Sequence, residues 1–129
     1  MRDYQCVKNN PYYLPRTLYR RVLSVIRDYE RQKAEVTDIL YGTSSKDGAM
    51  VGGGFPGKPT ESAAIRLAQY ESDIEVIEKA LEKIPFEYRS GVFRNIERGE
   101  RFPETAHHNT WLMWRKRYIW HVAKGLNLV

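Results

Sequence analysis

Two apolar stripes of nearly equal length constrain this chain more than any other feature. Leu18, Val22, Val25, Tyr29, Gln32, Val36 and Ile39 step by alternating fours and threes, the spacing of one face of a long helix. Ala63, Leu67, Tyr70, Ile74, Ile77, Leu81 and Ile84 repeat the same rule. Arg20, Arg27, Arg31 and Lys33 lie off the first seam, and Glu71, Asp73, Glu75, Glu78 and Lys79 lie off the second. Pro15 suits a first helical turn, where its missing N–H costs nothing, and Gly42 is a stop after Tyr41. Pro85 closes the second helix, because a residue before proline disfavours helical dihedrals. Each helix would run ~39 Å at ~1.5 Å per residue. The expected class is therefore all-α. An N-terminal arm (residues 1–14) leads into a long antiparallel helical hairpin over residues 15–84, basic outside on one helix and acidic on the other. The same seams can alternatively pair between chains, which makes a homodimer through the long helices the second use of the pattern.

Between the stripes lies GTSSKDGAMVGGGFPGK, residues 42–58, with six of the nine glycines. Such a density of glycine describes a flexible linker. Gly52, Gly57 and Lys58 do fit the G-x-x-x-x-G-K of a phosphate-binding loop. However, Pro59 stands where that loop needs Ser or Thr for magnesium, and it removes an N–H from the cradle. No alternating strand precedes the stretch. It imitates a nucleotide loop and is expected to be a linker into the next helix.

Length and composition narrow the function. At 129 residues the chain is one domain, or a small domain with an arm. No apolar run approaches the ~20 residues of a membrane span. The start, MRDYQCVKNNPYYLP, lacks the apolar stretch of a signal peptide, so a cytoplasmic location and no membrane partner are expected. Cys6 is the sole cysteine, which excludes an internal disulfide and a thiolate zinc cage. Charge is uneven. Residues 43–84 hold five Lys/Arg against seven Asp/Glu, whereas residues 85–129 hold eight against four. The last third also carries eight of the sixteen aromatics, and basic plus aromatic enrichment is the composition of a nucleic-acid surface or of a compact basic core.

Residues 85–129 read as three shorter helical pieces. The first spans Pro85 to about Arg98, with Phe86, Val92, Phe93 and Ile96 as its apolar side, and Gly99 breaks it. A one-turn piece around Pro103–His107 carries the small Ala106. The third runs from Asn109 or Thr110, both fair N-caps, through Lys124 to Gly125 as its stop. This is a helix-turn-helix outline. On a helical wheel Trp111, Leu112, Tyr118, Ile119, Val122 and Leu126 share the core side. Arg115 falls inside that side and is expected to pair with Glu87 or Glu104. The opposite side carries Met113, Lys116, Arg117, Trp120 and Lys124. A major groove suits such a face, because phosphates need cations and bases offer apolar faces and methyls. The alternative is a solvated basic face with Trp120 packed on another helix.

No chemistry is encoded in the usual spacings. His107, His108 and His121 lack the partners of a metal site, and capping or turn roles fit them better. Glu71, Glu75 and Glu78 lie on a solvated face, and no nucleophile–histidine set stands out. The expectation is binding, with no catalysis and no cofactor.

NNPYYLPRTLYRRV, IRDYERQK, the Gly-rich loop into KPTESAAIRL, IPFEYRSGVFRNI and WRKRYIWHVAKGLNL together resemble small phage and prophage transcriptional regulators of the RinA/ArpU type. The resemblance covers most of the chain through short, degenerate motifs. It implies a DNA-binding activator of late phage genes whose C-terminal helix-turn-helix is similar to the sigma-factor domain that reads the −35 element. RNA polymerase is a further partner on that view. Ala106 matches the small residue of the first motif helix and Thr110 the start of the recognition helix, with Lys116 and Arg117 as groove or phosphate contacts. Lys124, Arg94 and Arg98 would add contacts, with Trp120 near the bases. Two departures stand out: the turn from His107 to Asn109 is short, and Lys58 replaces the Asp usual before Pro-Thr, so that either this helix end frays or Thr60 caps it one turn later. A competing function is a phage protein–protein adaptor, a small assembly factor or inhibitor of a host complex that acts through the hairpin.

Overall fold

The computed structural model describes residues 10–41 and 61–129. Among them are five helices and no strand: α1 (Arg16–Arg27), α2 (Tyr29–Tyr41), α3 (Glu61–Leu81), α4 (Phe86–Arg98) and α5 (His108–Gly125). The expected linker 42–58, its Gly42 stop, Pro59, the Thr60 cap and Cys6 lie outside the described residues. The chain divides into two compact units. One combines the segment up to Asp28 with Val76–Val129, and the other is Tyr29–Glu75. No described helix is long and apolar enough to cross a membrane.

The single helix expected over residues 15–41 is divided at Asp28. The Asp28 amide is shared between the carbonyls of Ser24 (3.1 Å) and Val25 (3.2 Å), a three-centred bond common where helices end. Pro15 caps α1 with extended ψ of 149°. Its buried face is Tyr19, Val22, Leu23 and Ile26, an i, i+3, i+4, i+7 pattern wider than the expected seam. The cause is packing on two helices, because α1 lies against both α4 and α5. In α3 the expected stripe holds. Ile77 is fully buried, Ala63, Leu67, Tyr70, Ile74 and Leu81 are half-buried, and Ile84 is buried just beyond the helix.

Within the second unit, α2 meets α3 through polar contacts. Gln32 Nε2 donates to Asp73 Oδ2 at 3.4 Å. The Arg31 guanidinium lies 5.5 Å from the Tyr70 ring centroid, and Arg66 approaches Glu35 at 3.9 Å.

Helix α4 ends as glycine at this position demands. Gly99 adopts φ 71°, ψ 19°, a left-handed conformation open to glycine at little cost. The Gly99 amide reaches the Asn95 carbonyl at 3.0 Å, the single bond of an αL closure. Phe86 is not part of the apolar side of α4: it is 80% exposed, with the Arg89 guanidinium 5.6 Å above its ring. It sits about 120° around the helix from the buried Val92 at 100° per residue. The one-turn helix expected at Pro103–His107 is a turn and a bend.

Helix α5 is capped two residues before Asn109 and three before Thr110, the expected caps. His107 is the N-cap, its Nδ1 accepting the Asn109 amide at 3.1 Å. Gly125 is the last helical residue rather than the residue after the helix, and Asn127 takes the left-handed turn with φ 63°. The lack of a side chain at Gly125 serves close approach instead, since a Cβ there would stand 2.7 Å from Val76 Cγ1.

Gly91 does the same on α4. A Cβ would lie 2.7 Å and 2.9 Å from Trp111 Cζ3 and Cη2, and 3.1 Å from Pro103 Cδ. Trp111 cannot retreat, being 1% exposed, stacked on Phe102 at 5.4 Å and edge-on to Tyr88 at 4.8 Å. Gly91→Ala is therefore expected to destabilise the fold by about 1–3 kcal/mol through overpacking, despite a helix-propensity gain of about 1 kcal/mol. A lowered urea midpoint at constant slope checks it.

Candidate nucleic-acid interface

Helix α5 is held by its buried residues Trp111, Arg115, Tyr118, Ile119, Val122 and Ala123. Burial on this side sets the rotation of the helix and so decides which side chains face outward. Leu112 and Leu126, expected in the core, are only half-buried. Arg115 is buried as expected at 4% exposure, but Glu87 and Glu104 are not its hydrogen-bond partners. Its Nε donates to Asn95 Oδ1 at 3.0 Å, and Nη1 donates to Tyr19 Oη at 2.8 Å. Asn95 in turn donates through Nδ2 to the Glu100 carbonyl at 2.8 Å. One guanidinium thereby ties α1, the end of α4 and α5 together, using neutral oxygens as acceptors.

The outer side of α5 gathers Met113, Lys116, Arg117, Trp120 and Lys124, because positions 113, 117, 120 and 124 follow the i, i+4, i+7 rule of one helix face. Lys124 is exposed, and Met113, Lys116, Arg117 and Trp120 are half-buried. Thr110 is half-buried in the first turn, its amide bonded to the His107 carbonyl at 2.9 Å. The Arg117 guanidinium lies between two rings, 5.2 Å from the centroids of both Tyr12 and Trp114. Its Nε is buried and has no hydrogen-bond acceptor among the described residues. Trp120 is edge-on to Tyr12 at 5.6 Å, and Lys124 Nζ stands 5.2 Å from its ring centroid. The indole is thus neither sealed inside nor clear of the protein, and it forms one side of a cation–aromatic ladder. Such stacking is worth about 0.5–2 kcal/mol per contact and restrains where the charges point.

Lys116, Arg117 and Lys124 have no carboxylate partner among the described residues. The two cations expected on α4 differ from each other. Arg94 is exposed and makes no ion pair among the described residues. Arg98 is neutralised locally, with Nε 3.3 Å from Glu97 and Nη1 3.8 Å from Glu100. Arg98 is therefore the weakest of the expected contacts. Tyr12 and Trp114 belong to this face without having been expected there. The signal for Tyr12, an aromatic pair in NNPYYLP, has no periodicity that could link it to a helix a hundred residues away.

On the opposite side of α5, a cleft of about 790 Å³ lies beside the α4–α5 turn. Arg101, Phe102, Glu104, His108 and Leu112 line it, together with the buried Trp111 and Arg115. Among the described residues no three His, Cys, Asp or Glu side chains gather to hold a metal. No family model, curated protein or solved structure matches the chain, so the functional case rests on the residues themselves.

Proposed function

We propose that this chain binds duplex DNA through the outer face of α5. One observation carries the reading: three cations share that face, two of them stacked on aromatic rings, and none meets a carboxylate among the described residues. Isolated surface cations are ordinarily solvated or paired, whereas a fixed row of unpaired ones matches the spacing needs of a phosphate backbone. In this proposal α4, the turn at residues 99–107 and α5 act as a helix-turn-helix unit, and α2 with α3 acts as an antiparallel hairpin. The rising α2 numbers paired with falling α3 numbers, Arg31 with Tyr70 and Glu35 with Arg66, support the hairpin. The resemblance to RinA/ArpU-type regulators extends the proposal to activation of late phage genes, with RNA polymerase contact or homodimer formation assigned to the hairpin.

Lys116, Arg117, Lys124 and Arg94 offer about four phosphate contacts. The logarithm of duplex affinity should fall against the logarithm of salt with a slope near −4, from about −0.9 per phosphate. Fluorescence anisotropy between roughly 50 and 200 mM salt measures it. A slope near zero, or no binding at low salt, rejects the proposal.

The adaptor alternative has its own support in the second unit. Tyr41 on α2 and Ile65 on α3 are 71% and 61% exposed. A large oligomer whose mass by size-exclusion light scattering is indifferent to duplex DNA would favour the adaptor.

A further inference from the structure

Three cations bear on one imidazole. His121 is half-buried on α5, with its ring 5.3 Å from Trp120 and nearly perpendicular to it at 76°. Arg117, Trp120, His121 and Lys124 follow one another at i, i+3, i+4 and i+7, so they form one stripe. Lys83, exposed in the turn between α3 and α4, adds a positive charge from outside the helix. None of Lys83, Arg117, His121 and Lys124 has a carboxylate partner among the described residues. Like charges collected in this way repel one another, and nothing described within the chain neutralises them.

We infer that Lys83, Arg117, His121 and Lys124 form an anion site for phosphate groups, in which His121 takes up a proton as phosphate binds. The ligand chemistry is shared by the backbone of a nucleic acid and by a free polyphosphate. The inference deepens the duplex-DNA proposal and rests on it for the first of these sources. It adds to the face His121, which shares the α5 stripe, and Lys83, which periodicity on α5 cannot select.

The electrostatics run in the required direction. Burial lowers the proton affinity of His121 most, followed by Lys83, Lys124 and Arg117. These are the charged groups that act on the ring, one from the α3–α4 turn and two from α5. With its folded pKa below the unfolded value of about 6.5, His121 favours the folded state above that value. This contribution is lost as pH falls through about 6.5 toward the folded pKa. A phosphate beside the ring reverses the preference, because an opposite charge favours imidazolium. Binding should therefore tighten on acidification, while the free protein loses stability.

The test follows the His121 ring resonances of the full chain by NMR from about pH 8 to 5. It is run alone, with inorganic tripolyphosphate, with duplex DNA, and with chloride at matched ionic strength. Both phosphate ligands are expected to raise the His121 pKa by about one unit relative to chloride. Duplex affinity should rise about tenfold between pH 7.5 and 5.5, and His121→Gln should flatten that dependence. Lys83→Gln should reduce the shift caused by either ligand. A rise with tripolyphosphate but no DNA binding upholds the site for a free polyphosphate and rejects the duplex proposal. DNA binding with an unmoved His121 pKa, or a pH dependence that survives His121→Gln, overturns the inference and leaves the duplex proposal standing.

Discussion

Arg115→Ala is expected to cost the fold about 3–5 kcal/mol, more than the overpacking expected of Gly91→Ala. Two hydrogen bonds to a charged donor, each worth about 1.5–3 kcal/mol, disappear together. Asn95 Oδ1 and Tyr19 Oη lose this donor in a region where water cannot easily replace it, since both residues are under 5% exposed. The emptied volume adds a cavity penalty. Against a total stability of about 5–15 kcal/mol, such a loss leaves the unit marginal. Chemical denaturation measures it. Tyr19→Phe, which removes the hydroxyl that accepts from Arg115 Nη1, should cost about 1–3 kcal/mol. If Arg115→Ala unfolds at the wild-type midpoint, the guanidinium does not tie α1 to α4 and α5.

The same residue marks how far the sequence could be read. The 3.6-residue period places Arg115 on the buried side of α5, because periodicity reports rotation about a helix axis. It says nothing of partners: charge alone points to Glu87 and Glu104, where the fold supplies Asn95 and Tyr19. Tyr19 carries no signal for this role, since it lies beside the expected seam of the first helix. That seam assumes one neighbour, whereas α1 packs on two, and a second neighbour widens the buried arc from Val22 to include Tyr19, Leu23 and Ile26. The stripe of α3, from Ala63 to Ile84, was legible throughout. Gly91 and Gly125 illustrate the opposite limit. Both are silent in the sequence as packing residues, because the space a Cβ needs is taken by Trp111 or Val76, which only the folded chain brings there. The outer face of α5 was legible as a set of residues, but the stacking of Arg117 between Tyr12 and Trp114 was not, since Tyr12 is remote in sequence.

The second large effect concerns that face, and it supplies the most direct measurement of the central claim. Lys116, Arg117 and Lys124 changed together to alanine remove three of the proposed phosphate contacts. At about 0.1 M salt each contact is worth roughly a tenfold factor, so duplex affinity should drop about 100- to 1,000-fold and the salt slope should become shallower by about 3. Arg117 also packs between two rings, so a Lys116→Ala, Lys124→Ala pair that leaves the stack intact should lose about two units of slope with unchanged helicity. The deciding quantity is duplex affinity against salt for the wild-type chain and both variants, with circular dichroism confirming the fold. Stepwise loss of affinity and slope as cations are removed is the predicted result. Affinities within about twofold of wild type at every salt concentration, on intact helices, would contradict it.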